Sequence, residues 1–200
     1  DRLYRYDGKE WYEFPQNLTD NFHSFLKADS KGRIFLGTSG NGLLVWDGDA
    51  LTRYNNEPGH STCVIYDMVE DKTATVWVGT QDGLYSLGTA GWKQMVNRYQ
   101  IAPMAVDGKN RLWFGDFNIG LILYVGGQCT ELSKEGILAG MRVARLQCQP
   151  SGTMRVWAYA STSTGEEDPI AFDCDGKSIT NAPLSESPPI DSNDQDGETK

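Results

Sequence analysis

Glycine recurs at a regular interval along this chain, each time after a short run of apolar and aromatic residues. Gly37, Gly79 and Gly115 end the runs Ile-Phe-Leu, Val-Trp-Val and Leu-Trp-Phe, and they lie 42 and 36 residues apart. Each is followed by a polar stretch, a second glycine with leucine after it, and another apolar run. A repeat of about 40 residues with this content is typical of proteins built from copies of one small β-sheet unit.

Each repeat divides into four short strands. In the first complete copy the sequence predicts strands at 24–28, 33–38, 43–46 and 51–54. Asp47-Gly48 lies between the last two, and Asp-Gly is a strong hairpin signal because glycine accepts a positive φ. We expect the same hairpin wherever the dipeptide recurs: at Asp7-Gly8, Asp107-Gly108 and Asp175-Gly176. No helical period separates the strands, so the sequence predicts an all-β fold.

The spacing of these strands predicts a β-propeller, or a propeller fragment, of about four to five four-stranded blades. The expected boundaries are a partial blade at 1–14 and blades at about 22–54, 62–95, 101–132 and 141–181. Such a chain can be part of a longer propeller, close on itself as a small ring, or assemble with other copies into a homo-oligomeric ring.

The C-terminal stretch has a different composition. Residues 185–200 contain one apolar residue, two prolines and an excess of acidic side chains. A segment of this kind cannot bury enough surface to offset chain entropy. We therefore expect residues 183–200 to be a disordered acidic tail or linker.

The repeat resembles a known one. An aromatic residue and a small aliphatic residue before Gly-Thr, followed by Gly-Leu and Asp-Gly, are similar to the regulator-type propeller repeat of extracytoplasmic sensor domains in two-component and hybrid two-component systems. The likeness is close over 33–54 and 76–87. It weakens where Asp116 replaces threonine, and in the fourth copy, where we expect Ala158 to replace the repeat glycine. The resemblance implies a sensor role in signal transduction and a periplasmic or extracellular location, with a cytoplasmic one left open.

Charge argues against nucleic acid as a partner. Acidic residues outnumber basic ones by 27 to 18, the net charge is −9, and no cluster of lysine and arginine forms a phosphate-binding stripe. No apolar run approaches the roughly 18 residues that a membrane helix needs. We therefore expect no nucleic acid partner and no membrane insertion within this chain.

The sequence contains no recognisable catalytic or metal-binding motif. Its two histidines, His23 and His60, fall in connections between blades, and neither belongs to a nucleophile motif. The four cysteines lack metal-site spacing, and their distribution over different blades favours buried free thiols over disulfides: Cys63, Cys129, Cys148 and Cys174. We expect no catalytic residue, no metal and no cofactor.

Large aromatic residues recur on the second strand of each copy. We expect four of them to occupy equivalent positions: Phe35, Trp77, Trp113 and Trp157. A large ring in the same place in each repeat fills the wedge between neighbouring blades. These residues are therefore expected to form the core and not a ligand site.

The candidate site lies where the third copy departs from the repeat. A larger polar and aromatic loop, 116–119, replaces the small loop that follows threonine in the other copies. Loops on the open face of a rigid scaffold commonly carry binding residues. We expect five residues to converge on that face and to bind a ligand: His60, Gln81, Asp116, Phe117 and Asn118.

These features favour a non-catalytic binding module, an extracytoplasmic sensor whose partner is a small ligand, a carbohydrate being one option, or another protein. Two alternatives remain open. The run from Leu112 to Asp116 also resembles the repeat of streptogramin-type lyase propellers, and that resemblance implies a histidine general base and a divalent metal held by acidic residues. Asp116 is the one carboxylate here that matches. The third reading is a structural scaffold for protein assembly.

Overall fold

The computed structural model describes residues 4–6, 8–13, 23–40, 42–54, 63–88, 91–160 and 169–182. Within these ranges the chain forms eighteen β-strands. The same ranges contain no helix that is long and apolar enough to cross a membrane. The prediction of an all-β fold is confirmed. His60 and the predicted tail at 183–200 lie outside the described residues.

The strands fall into a hairpin and four consecutive four-stranded units. The hairpin is β1 (Tyr4–Tyr6) with β2 (Trp11–Glu13). Unit 1 contains β3 (His23–Ala28), β4 (Ile34–Gly40), β5 (Leu43–Trp46) and β6 (Leu51–Tyr54). Unit 2 contains β7 (Cys63–Glu70), β8 (Val76–Thr80), β9 (Gly83–Gly88) and β10 (Gly91–Val96). Unit 3 contains β11 (Ile101–Val106), β12 (Leu112–Asp116), β13 (Gly120–Val125) and β14 (Gln128–Glu131). Unit 4 contains β15 (Met141–Cys148), β16 (Met154–Ala160), β17 (Ile170–Cys174) and β18 (Ile179–Asn181).

Each unit is an antiparallel meander in which every strand pairs with the next one along the chain. Units 1 and 2 are also joined directly, because the end of β4 pairs with the start of β7 through Ser39↔Val64 and Gly40↔Cys63. This order of strands, repeated without a crossover inside any unit, is that of a propeller-like fold.

One turn geometry joins the first and second strands of every unit. The first turn residue donates its N–H to a carbonyl four residues later, as Asp29 does to Arg33 at 3.0 Å and Gln149 to Thr153 at 2.8 Å. In unit 3 this turn starts at Asp107, and the residue with positive φ is Asn110, at 60°. The prediction that Asp107-Gly108 forms the same hairpin as Asp47-Gly48 was therefore wrong, since Asp47-Gly48 joins the third and fourth strands.

A buried carboxylate locks this turn to the neighbouring core. Asp107 accepts the N–H groups of Lys109 and Arg111 at 2.9 and 3.0 Å, the Arg111 Nε at 2.6 Å and the Trp113 indole Nε1 at 2.8 Å. Asp71 accepts the indole N–H of Trp77 in the same way, at 2.8 Å. Each tryptophan thus has its one polar atom satisfied and presents its ring to the next unit.

The cores lie between units, since alternate residues of each second strand face opposite neighbours. In unit 2, Val76 and Val78 pack in the cluster shared with unit 1, and Trp77 packs in the cluster shared with unit 3. Trp113 likewise belongs to the cluster shared with unit 4. We call the side of a unit that faces the preceding unit its leading face, and the opposite side its trailing face.

The repeat glycines let the next unit approach the trailing face closely. A Cβ on Gly79 would overlap the Ile101 carbonyl oxygen of unit 3. A Cβ on Gly115 would lie 2.7 Å from the Ala102 oxygen of its own unit and 3.0 Å from the Val143 Cβ of unit 4. Both distances are shorter than ordinary van der Waals contact, so a side chain at these positions would separate the units.

The register of unit 4 corrects one prediction about the aromatic residues. Trp157 pairs with Arg145, as Gly79 pairs with Asp67, so Trp157 stands at the glycine position of the repeat. Arg155 occupies the place of Trp77 and Trp113, and Ala158 corresponds to Thr80. The predicted equivalence of Trp157 with the other aromatic residues, and of Ala158 with the glycine, was wrong. The turn that starts at Gln149 sets the register, and it places Trp157 two residues further along its strand.

Candidate ligand-binding site

The turn between β12 and β13 is organised by Asp116, which is buried. One carboxylate oxygen accepts the N–H groups of Asn118 and Ile119, both at 2.8 Å. The other accepts the N–H of Gln100, at 2.7 Å, where the chain enters β11. These three bonds fix the shape of the turn and its position against the preceding segment, so the carboxylate holds the residues that follow it in place.

Phe117 lies at the centre of a cluster drawn from three units. Its ring centroid is 5.3 Å from that of Tyr66 on β7, with the planes at 84°, an edge-to-face contact. The guanidinium carbon of Arg142 on β15 lies 5.2 Å from the Phe117 centroid. Phe117 and Tyr66 are half-buried and Arg142 is exposed. We call these three residues the Phe117 cluster.

The turn between β8 and β9 lies beside this cluster. The N–H of Gln81 donates to the Val64 carbonyl at 3.1 Å, which places the turn against the start of β7 two residues before Tyr66. Burial, and secondarily the negative charge of Asp82, raise the pKa of the Tyr66 phenol. Tyr66 therefore stays protonated at neutral pH and keeps an O–H that can donate a hydrogen bond.

The structure places four of the five predicted site residues at the same end of the strands. Gln81 lies in the β8–β9 turn, Asp116 ends β12, and Phe117 and the exposed Asn118 form the β12–β13 turn. The fifth, His60, lies outside the described residues. Sequence reasoning did not identify Tyr66 or Arg142, which complete the Phe117 cluster.

A separate cavity of about 400 Å³ lies at the rim between units 2 and 3, lined in part by Gln94, Arg98 and Cys129. Beside it, the Tyr99 hydroxyl donates to Glu131 Oε1 at 3.0 Å. Burial and this hydrogen bond to a carboxylate raise the pKa of Tyr99 to about 12. The rim cavity is polar and shares no residue with the Phe117 cluster.

The three cysteine side chains that the structure describes do not form a reactive centre. Cys129, Cys148 and Cys174 are free, as expected from the sequence. Burial raises the pKa of Cys174 and of Cys129 above the ordinary thiol value, so neither is a thiolate nucleophile at neutral pH. Within the described ranges no three His, Cys, Asp or Glu side chains come close enough to hold a metal ion.

No protein-family model matches this chain, and no curated protein does either. Among solved structures, the extracellular domain of a hybrid two-component system protein from B. thetaiotaomicron matches with a TM-score of 0.64 and 20% identity, over 78% of this chain and 23% of that one. A catalytically inactive virginiamycin B lyase from Staphylococcus aureus, solved with quinupristin, gives a TM-score of 0.70 and 12% identity, over 92% of this chain and 64% of the lyase. PorZ, a surface component of the type-IX secretion system of Porphyromonas gingivalis, gives a TM-score of 0.55 and 14% identity, over 90% of this chain and 32% of PorZ.

This chain therefore spans about a quarter of the extracellular-domain chain it matches, and less than two thirds of the lyase. At these identities the likeness is one of fold. The chain has the propeller-like fold found in the extracellular domains of hybrid two-component systems.

Proposed function

We propose that this chain is a non-catalytic binding module, the extracytoplasmic sensor part of a signalling protein, and that its ligand contacts the Phe117 cluster. The observation that carries the proposal is the convergence of Tyr66, Phe117 and Arg142, from three separate units, at one end of the strands. Binding sites of rigid scaffolds are commonly built in this way, from loops and strand ends of several repeats.

The chemistry of the cluster suits a small polar ligand that has one apolar face. The half-buried Phe117 ring offers a flat apolar surface, and Arg142 offers a cation with several donors beside it. The protonated Tyr66 hydroxyl and the exposed Asn118 amide add polar groups. An oligosaccharide combines hydroxyl groups with apolar ring faces, and we take it as the proposed ligand class.

We also propose that the four units are consecutive blades of a propeller. Support comes from the three inter-unit cores, which repeat the same contacts, and from the extracellular-domain neighbour, of which this chain spans only a part. We propose an extracytoplasmic location as well, and the same comparison supports it. In such a protein, a ligand that bridges units 2, 3 and 4 would stiffen their relative arrangement, and this change could pass along the chain.

The test is binding of a panel of neutral and acidic oligosaccharides, measured by calorimetry with the purified chain. We expect at least one member to bind and Phe117→Ala to weaken that binding by about tenfold or more, because an aromatic contact of this kind contributes about 1–2 kcal/mol. Val125→Ala is the matched control, since Val125 is an exposed apolar residue at the opposite end of β13. Equal affinity in wild type and Phe117→Ala would contradict the proposed site. Failure of the whole panel would contradict the ligand class.

One observation favours a second candidate, a lyase: the similarity of this fold to virginiamycin B lyase. Against it, the Asp116 carboxylate already accepts three backbone N–H groups, which leaves it poorly placed to hold a metal. Incubation with quinupristin and Mg²⁺, followed by mass spectrometry, distinguishes the two. A product that appears with the chain and disappears with EDTA would favour the lyase.

A further inference from the structure

A second cavity lies between units 1 and 2, and we call it the unit 1–2 cavity. Its volume is about 330 Å³, and small-molecule sites commonly have about 300–1,000 Å³. It is lined in part by the turns that precede β4 and β8, so it lies at the end of the strands opposite to the Phe117 cluster. Both units contribute polar residues to it: Lys31, Arg33 and Tyr54 from unit 1, and Thr75 and Ser86 from unit 2.

The guanidinium of Arg33 is held from two directions. Its Nε donates to Asp29 Oδ2 at 2.7 Å, and its central carbon lies 5.1 Å from the centroid of the Phe35 ring. Among the described residues, the Nε is the one side-chain nitrogen of Arg33 that has a hydrogen bond. The two Nη groups of this anchored side chain are therefore available to a molecule in the cavity, and such a pair binds a carboxylate through two parallel hydrogen bonds.

The equivalent arginine of unit 3 shows how this position is used elsewhere in the molecule. The N–H of Asp107 donates to the Arg111 carbonyl as that of Asp29 does to Arg33, and Arg111 Nε donates to Asp107 Oδ2 at 2.6 Å. The Nη2 of Arg111 then donates to the Asp175 carbonyl of unit 4, at 2.7 Å. In unit 3 an oxygen of the next unit thus occupies the acceptor position beside the arginine.

Unit 2 supplies no such oxygen to Arg33. Gly88 stands where unit 4 has Asp175, because Leu87 pairs with Val76 as Cys174 pairs with Met154. Gly88 lines the unit 1–2 cavity together with Arg33. In the described part of the chain no hydrogen bond joins the two. At this boundary, a cavity therefore lies where unit 4 supplies an acceptor to Arg111.

Three further polar side chains line the same cavity without a hydrogen-bond partner among the described residues: Lys31, Tyr54 and Ser86. Lys31 is exposed, whereas Tyr54 and Ser86 are half-buried. The Tyr54 ring centroid lies 6.5 Å from that of Trp92, so these two rings pack together at the boundary between the units. The cavity therefore combines an ammonium group and two hydroxyl groups with the guanidinium of Arg33.

Two carboxylates lie near Arg33, and both already accept hydrogen bonds. Asp29 accepts the N–H groups of Lys31 and Arg33 at 3.0 and 2.9 Å, besides the Arg33 Nε. Asp47 accepts the N–H groups of Asp49 and Ala50 at 3.0 and 2.9 Å in its own turn. These bonds lower the pKa of Asp47, and the charge of Arg33 adds to the effect. The two cations and the two carboxylates balance, which favours a singly charged ligand over a doubly charged phosphate.

We propose that the unit 1–2 cavity binds a small hydroxy acid. The carboxylate of the ligand accepts hydrogen bonds from the Nη groups of Arg33 and from Lys31. Its hydroxyl groups bind the hydroxyl groups of Tyr54 and Ser86. Such a ligand contacts two units at once and takes the place that the Asp175 carbonyl has beside Arg111. The inference does not depend on the ligand proposed for the Phe117 cluster.

Titration of the ¹⁵N-labelled full chain with glucuronate tests the proposal, and glucuronamide is the uncharged analogue that keeps the hydroxyl groups. We expect glucuronate to shift the amide signals of residues 31–33, 74–75 and 86–88 saturably, and to bind at least about tenfold more tightly than glucuronamide. Phe117→Ala should leave these shifts unchanged, which separates this site from the Phe117 cluster. Absence of saturable shifts at these residues, or equal affinity for the two compounds, would overturn the proposal.

Arg33→Lys and Arg111→Lys are a matched pair of variants. Each keeps a positive charge and loses both the Nη pair and the Nε bond to the carboxylate of its turn. We expect Arg33→Lys to weaken glucuronate binding about tenfold or more, and Arg111→Lys to leave it unchanged because Arg111 Nη2 already binds Asp175. Unchanged binding in Arg33→Lys, or an equal loss in both variants, would overturn the role of Arg33.

Lys31→Ala provides a second measurement that does not disturb the bond between Asp29 and Arg33 Nε. Lys31 is exposed, so this variant should fold as wild type does in urea unfolding. We expect it to bind glucuronate more weakly than wild type and glucuronamide equally well. Unchanged glucuronate affinity in this variant would contradict the proposed position of the carboxylate.

Discussion

Replacing Asp107 with asparagine should destabilise the interface between units 3 and 4 far more than a single surface change. The Asp107 side chain is fully buried and accepts four N–H groups, among them the Trp113 indole N–H in the core. An amide has one acceptor oxygen and two donors, so it cannot serve all four donors. Arg111 remains partly exposed and keeps its bond to the Asp175 carbonyl at 2.7 Å, which limits the cost of losing the carboxylate.

The magnitude follows from these contacts. A hydrogen bond to a charged group contributes about 1.5–3 kcal/mol, and an unsatisfied buried donor costs about 1–3 kcal/mol. We expect Asp107→Asn to lower the free energy of unfolding by about 3–4 kcal/mol. This is less than the sum over all four lost hydrogen bonds, because the Arg111 side chain and the turn amides can still bind water. Urea unfolding followed by circular dichroism measures the loss. Asp49→Asn, in the exposed β5–β6 turn, is the matched control and should change stability little.

The pH dependence checks the cause. Burial alone would raise the pKa of Asp107, but the Arg111 N–H, the Trp113 indole and the Arg111 guanidinium outweigh it and hold that pKa below the ordinary value. Because the pKa is lower in the folded state, the ionised Asp107 carboxylate contributes its full stabilisation above the pKa of the unfolded state, about 4. This stabilisation is lost as the pH falls through the pKa of the folded state. The difference between wild type and Asp107→Asn should therefore shrink below about pH 4. A loss no larger than that of Asp49→Asn, or a difference that stays constant down to pH 2.5, would refute the reasoning.

Three further predictions concern single positions. Gly79→Ala should destabilise the chain by about 2 kcal/mol or more in urea unfolding, because the new Cβ would overlap the Ile101 carbonyl oxygen. Gly108→Ala is the control and should change stability little, because its Cβ would meet only Gly152, at 3.4 Å. Spectrophotometric titration should show one phenol ionising at about pH 12, assigned by its absence in Tyr99→Phe; no difference between the two curves would contradict that assignment. Cys174, which is buried, should react with a thiol reagent only after unfolding, and fast modification in the native state would show that the unit 3–4 core is open.

The fold could be predicted from the sequence because its determinants are local. The glycines at 79 and 115 mark positions where the next unit approaches too closely for a side chain, and Gly37 leaves room for the Phe25 ring of its own unit. The Asp47-Gly48 turn has the positive φ that glycine permits. Register in unit 4 could not be read in the same way. The string Val156-Trp-Ala looks like Val76-Trp-Val, but the turn at Gln149 decides which residue faces which neighbour.

The candidate site was predictable only in part. Phe117 and Asn118 stand out because they interrupt the repeat, and Asp116 because it replaces threonine. Tyr66 and Arg142 lie inside first strands, and each strand has an irregularity in its pairing close to that residue. Such an irregularity changes the direction of the side chains around it, so simple alternation along the strand does not indicate that either residue reaches Phe117.

The central claim is that a ligand binds at the Phe117 cluster, and mapping the binding site tests it most directly. Backbone amide shifts of the ¹⁵N-labelled chain would be followed during titration with the oligosaccharide that binds best in calorimetry. We predict that the largest shifts occur at residues 64–66, 81–82, 117–119 and 142, which belong to three different units and meet at one end of the strands. Shifts concentrated instead at residues 94–98 and 127–129, around the rim cavity, would contradict the account.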